Sequence, residues 1–176
     1  MTPDSFADGG RHAGTGPAVE RDLSLAEEGA DLVDVGGEST RPGAEPVPVE
    51  AELARVVPVV RELVRAEVAV SVDTLHAAVA RATIEAGACM VNDVSGGPAD
   101  PAMATVVAAA GVPYVAMHRR APSREMDRHS DYGDVVRGLC GRRLGGRPPN
   151  LGVRRPSCGV SNECAARVSS SSKRVC

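Results

Sequence analysis

The chain has 176 residues, enough for one domain of ordinary size but short of the roughly 250 that a complete eightfold α/β barrel needs. With one Phe, two Tyr and no Trp, its core must be built from Val, Ala, Leu and Ile, and it has little aromatic surface for stacking nucleic-acid bases. No apolar run approaches the ~18 residues of a membrane span, and the start lacks the basic-then-apolar pattern of a secretion signal. The expectation is therefore a cytoplasmic protein that binds neither nucleic acid nor membrane.

The net charge of −3 divides unevenly at about residue 136. Residues 1–136 carry 11 of the 20 Lys and Arg and 22 of the 23 Asp and Glu, whereas the remaining forty residues have Glu163 as their only acid. Cys140, Cys158, Cys164 and Cys176 also fall in this tail. Cys158 and Cys164 have no second close pair or companion histidine, which argues against a metal site, and an intracellular chain would not keep disulfides. Residues 1–136 are thus expected to form the folded unit, and 137–176 a basic, disordered tail without assigned function.

Met1 to Gly14 reads as a loop, because Thr2-Pro-Asp-Ser-Phe-Ala-Asp-Gly-Gly10 is dense in turn residues. Phe6, the single phenylalanine, either plugs back onto the core or covers a ligand. Pro17 suits the first turn of a helix that runs to about Glu28. Leu32, Val33 and Val35 alternate around Asp34 in a short strand expected to be buried on both faces, and Gly36 and Gly37 end it. Apolar residues at Val49, Leu53, Val56, Val57, Val60, Leu63 and Val64 mark a helix face, with Pro58 expected to bend it. The rhythm then repeats. Val68–Val72 is a strand ending at Asp73, and a helix follows from about His76 to Ala86. Cys89–Val91 is a strand ending at Asn92 and Asp93, and Asp100 with Pro101 opens a helix that closes at Gly111. Pro113–Met117 is a strand ending at His118.

Four short apolar strands alternating with amphipathic helices imply an α/β fold with a parallel sheet, since parallel neighbours need crossovers of this length. Polar residues gather just beyond the carboxyl ends of the strands, the edge on which such folds build their sites. Ser39, Thr40 and Arg41 place two hydroxyls and a cation beside glycines, which suits an anionic or flat polar ligand, although a solvated turn would look the same. Asp73 either caps the helix after Thr74 or accepts hydrogen bonds from a ligand's ring nitrogens. Asn92 offers a donor and an acceptor side by side, as the edge of a heterocycle requires, yet Asn in a turn needs no ligand. His118 is a base or a surface residue. No histidine and carboxylate have the short spacing of a zinc site, and Gly36-Gly37 lacks the lysine of a phosphate loop.

Together, Thr2-Pro-Asp-Ser-Phe-Ala-Asp-Gly-Gly10, Val33-Asp-Val-Gly-Gly-Glu-Ser-Thr-Arg-Pro-Gly43, Ser71-Val-Asp-Thr74 and Met90-Val-Asn-Asp-Val-Ser-Gly-Gly97 resemble dihydropteroate synthase of the folate pathway. Four motifs in this order cover about residues 1–136. The resemblance implies a parallel (β/α) barrel of the TIM type, represented here by about its first half. It also implies an enzyme, a transferase, that joins 6-hydroxymethyl-7,8-dihydropterin diphosphate to 4-aminobenzoate with magnesium, as a homodimer. Carried over by motif position, Asp73 and Asn92 hold the pterin and Thr40 touches the pterin diphosphate. Phe6, Ser39, Arg41 and Pro42 lie on the loops that close over 4-aminobenzoate, where sulfonamides compete. The chemistry is substitution at the pterin methylene with diphosphate departing, so no covalent catalyst is expected.

The resemblance is partial. The family's magnesium-binding asparagine precedes the Thr2-Pro-Asp-Ser stretch, and the Asp-Pro-Gly, Ser-Arg-Lys and final Arg-x-His stretches of the later strands do not occur. The tail after Val136 has the composition of a shifted reading frame in G+C-rich coding sequence. With the later barrel strands missing, this chain is expected to be inactive on its own, and two other readings stand beside the synthase: the pterin-binding domain of the related methyl-transfer proteins, and a non-catalytic fragment. The Phe6 loop and Ser39-Thr-Arg-Pro42 favour the synthase, because methyl transfer has no aminobenzoate to enclose.

Overall fold

The computed structural model describes residues 14–40, 44–117, 121 and 125. Four helices alternate with four strands in the order α1 (Thr15–Glu27), β1 (Val33–Gly36), α2 (Val49–Arg65), β2 (Val70–Asp73), α3 (Ala77–Glu85), β3 (Met90–Asp93), α4 (Met103–Ala110) and β4 (Tyr114–Ala116). The strands pair in parallel and in chain order, β1-β2-β3-β4. Each connection therefore steps to the next position without reversal, as in a closed βα barrel, whereas an open doubly wound sheet reverses at a switch point. The helices touch one another in the same succession, α1 on α2, α2 on α3 and α3 on α4.

Strand periodicity decides what each face does. Val33 and Val35 of β1, Val70 and Val72 of β2 and Val91 of β3 are almost completely buried. They pack in one aliphatic core with Val56, Val59, Val60 and Leu63 of α2, Val79 and Ala80 of α3, and Met103 and Val107 of α4. Side chains at alternate positions point the other way. Asp34, Asp73, Met90 and Asn92 are only partly buried, so β1 is not buried on both faces as its sequence suggests. Helices cover its valine face alone.

Helices α1, α3 and α4 end ahead of Gly29, Gly87 and Gly111, all at positive φ. Helix α2 continues through Pro58 as one element of 17 residues. Its register places Val56, Val59, Val60 and Leu63 in the core, and this burial outweighs the hydrogen bond that proline cannot donate. Asp100 serves two helices: Oδ1 accepts from the Ala102 amide just before α4, and Oδ2 accepts from the Ala77 amide that opens α3. The Thr2–Gly10 loop, Arg41, Pro42, His118 and the 137–176 tail lie outside the described residues.

Candidate functional site

Register brings the polar residues together. Asp73 of β2 stands opposite Asn92 of β3 on one side and Gly36 of β1 on the other, so the two side chains share a face at the carboxyl rim. Ser39, buried, and Thr40, half-buried, leave the end of β1 at the same rim. Of the residues singled out from the sequence, Ser39, Thr40, Asp73 and Asn92 are described. Phe6, Arg41 and Pro42 lie outside the described residues.

A further residue belongs to this face. Asn92 Nδ2 donates to Asp34 Oδ2 at 2.9 Å, across the intervening strand β2. In a flat sheet the backbones of β1 and β3 would stand about 9.5 Å apart, at roughly 4.8 Å per strand. The contact therefore requires both side chains to lean inward over β2 from a concave surface, which is the inner wall of a barrel. Asp34 was legible as the polar position in an apolar strand, but nothing in the sequence pairs it with a residue 58 positions away.

The face is rich in acceptors and short of donors. Asp34 Oδ1 and Asn92 Oδ1 are buried without a hydrogen-bond partner, and an unsatisfied buried acceptor costs about 1–3 kcal/mol. Between their strands, burial first and the neighbouring Asp34, Glu52, Asp93 and Glu38 charges next push the Asp73 carboxyl up to about 7. Near neutrality Asp73 is therefore available both as a donor and as an acceptor. A flat heterocycle with several N–H groups along one edge would satisfy these oxygens. The helix-capping alternative for Asp73 does not hold, because the Ala77 amide is taken by Asp100 and the His76 amide by Thr74 Oγ1.

Asp93, the next residue along β3, faces the opposite way and is fully buried. Its carboxylate accepts from the Ser95 and Gly97 amides and from the Tyr114 hydroxyl at 2.7 Å. Burial and the bond to Asp93 push the Tyr114 phenol upward, which keeps it a donor. This knot fixes the turn after β3 and hence the orientation of Asn92. Gly37 does comparable work after β1. A Cβ there would meet Val56 Cγ2 at 2.6 Å and Glu52 Cγ at 2.8 Å, so only glycine lets α2 approach this closely, and Arg55 Nη1 holds the approach by donating to Gly37 O at 2.9 Å.

With this geometry in place, comparison with known proteins is decisive. Residues 1–140 match the family described as pterin binding enzyme. The chain belongs to the pterin-binding enzyme family. It is 53% identical over 137 residues to the dihydropteroate synthase of Mycobacterium leprae, covering 77% of this chain and 48% of that protein. Among solved structures, it resembles the Yersinia pestis dihydropteroate synthase in a sulfonamide drug complex, with a TM-score of 0.77 and 38% identity over 82% of this chain and 52% of that one. The Xanthomonas albilineans dihydropteroate synthase with 4-aminobenzoic acid gives a TM-score of 0.69 and 47% identity, over 82% and 50%. The chain thus spans about half the length of the relatives it matches. The parallel sheet expected from the sequence is that of the family.

Proposed function

We propose that this chain supplies the pterin-binding part of a dihydropteroate synthase, a transferase that condenses 6-hydroxymethyl-7,8-dihydropterin diphosphate with 4-aminobenzoate and releases diphosphate. The observation that carries the reading is the concave face on which Asp34, Asp73 and Asn92 meet with two buried oxygens unpaired. A pterin carries an amino group and ring N–H groups along one edge, the complement of this acceptor-rich surface. Asp73 and Asn92 hold that edge and Thr40 touches the pterin diphosphate. Phe6, Ser39, Arg41 and Pro42 enclose 4-aminobenzoate. The protein's contribution is to orient the methylene carbon towards the arylamine and to exclude water from the departing anion, with no side chain acting as a nucleophile.

Magnesium, implied by the family, would assist diphosphate departure. The described residues do not fit it: their one three-residue group of metal-capable side chains, Glu38, Glu52 and His76, includes an imidazole, whereas magnesium takes oxygen ligands in a near-octahedral, water-rich shell. No helix among the described residues is long and apolar enough to cross a membrane, in keeping with a cytoplasmic setting, and we extend the family's homodimer to this chain.

The test is equilibrium binding of labelled 4-aminobenzoate to the purified chain, with and without a pterin diphosphate analogue, followed by competition with a sulfonamide. The synthase reading expects aminobenzoate to bind only with the pterin in place and to be displaced by the drug. Pterin binding with no aminobenzoate binding would point instead to methyl transfer.

A further inference from the structure

We infer that Glu38, Glu52 and His76 form a binding site for a divalent transition cation of the zinc class, next to the pterin face. The three come from three elements: Glu38 from the turn after β1, Glu52 from the first turn of α2, and His76 from the residue that precedes α3. One ligand atom from each lies within 4.8 Å of the others.

The observation that points to a ligand is Glu52. Its side chain is fully buried, yet Oε1 has no hydrogen-bond partner. A buried carboxylate with a bare oxygen is costly unless a cation satisfies it. The neighbouring side chains do not satisfy it. Arg55 is engaged on the Gly37 carbonyl. His76 Nδ1 lies 2.6 Å from Glu52 Oε2, the other oxygen, and Glu38 Oε2 accepts from the Val47 amide at 2.9 Å. Two carboxylates thus face a single imidazole, and a doubly charged ion would balance them.

Donor chemistry selects the ion. One imidazole nitrogen with two carboxylates is a set that zinc and its neighbours accept, with bonds near 2.0–2.2 Å and an open fourth position for water. Magnesium and calcium prefer all-oxygen shells. The site is also placed to be filled. The His76 side chain keeps 29% of its exposure, so an ion has a route in, while Glu52 is held from behind by the close approach of α2 to Gly37. An ion bound here would tie the start of the Ser39–Thr40 loop to the amino ends of α2 and α3.

The experiment uses the full chain with its thiols alkylated, because the tail cysteines would otherwise compete for the metal. After EDTA stripping, zinc is titrated by calorimetry and cobalt(II) by visible absorption at neutral pH. The expected result is one ion per chain, with cobalt bands of an N/O-ligated four- or five-coordinate site and a rise in unfolding temperature at saturating zinc. His76→Gln keeps a donor for Glu52 but removes the imidazole ligand. It should weaken binding about 100-fold, while the metal-free unfolding midpoint stays near that of the parent chain. Glu38→Gln, at a less buried position, should weaken binding as well and serves if His76→Gln does not fold. Absence of stoichiometric binding would overturn the inference and leave Glu52 and His76 as a hydrogen-bonded pair only. Binding unchanged in both variants would overturn it too, by placing the ion elsewhere.

Discussion

Asn92 donates its side-chain amide to Asp34 across the strand that carries Asp73, at 2.9 Å. That bond orients the amide: with one Nδ2 hydrogen held by Asp34, the unpartnered carbonyl oxygen is fixed in place to accept from a ligand. Asp34→Ala should therefore weaken pterin binding about tenfold by letting the amide turn, which is the value of one lost hydrogen bond. A calorimetric titration of the variant checks it, and parent-like affinity would show that Asp34 does not position Asn92.

The same aspartate charge raises Asp73. Asp34→Asn removes the second of the causes that push Asp73 up to about 7. The Asp73 titration midpoint, followed by carbon NMR of the carboxyl group, should fall in this variant. A midpoint that stays put would exclude the Asp34 charge as a cause of the shift.

Stability should depend on pH through Asp73. Its folded pKa of about 7 lies above the ordinary 3.8, so the folded state holds the proton more tightly than the unfolded state does. The stability contributed by the protonated form is fully present below about pH 4 and is lost as pH rises through 7. Asp73→Asn removes that loss. It should be close to neutral in acid and stabilising above pH 7, with an upper bound of about 4 kcal/mol at 1.36 kcal/mol per unit. Urea denaturation of parent and variant at both pH values gives the difference directly.

Gly37 and Arg55 set the exit of β1. Gly37→Ala should destabilise the fold by about 1–3 kcal/mol, since the new methyl would overlap both Val56 and Glu52. Arg55→Ala leaves the Gly37 carbonyl without its 2.9 Å donor. Faster amide exchange through Glu38, Ser39 and Thr40 is expected, with α3 and α4 unaffected. Uniform exchange changes across the chain would mean global loosening in place of a local one.

The sequence disclosed most of the architecture because strand and helix periods are local. Valines at alternate positions and at helical spacing from Val49 to Val64, with Pro17, Pro101 and the helix-ending glycines as punctuation, place the described elements to within a few residues. Which face of β1 would be open was not legible, because both faces carry plausible residues and only the packing of α2 on the Val33 and Val35 side decides it. Asp73 and Asn92 could be singled out because each closes a short apolar strand. Asp34, Glu52 and His76 could not be grouped, since their meaning comes from contacts between residues 24 and 58 positions apart. Glu52 lies off the apolar face of α2 and is nonetheless fully buried. Phe6, Arg41 and Pro42 rest on the motif alone.

The central claim is that Asp34, Asp73 and Asn92 form one surface for the edge of a pterin. Isothermal titration of the 176-residue chain with 6-hydroxymethyl-7,8-dihydropterin, repeated with Asp73→Ala and Asn92→Ala, tests it most directly. Saturable one-to-one binding is expected, weakened about tenfold or more in each variant. Parent-like binding by both variants, or no binding by the folded parent chain, would contradict the account.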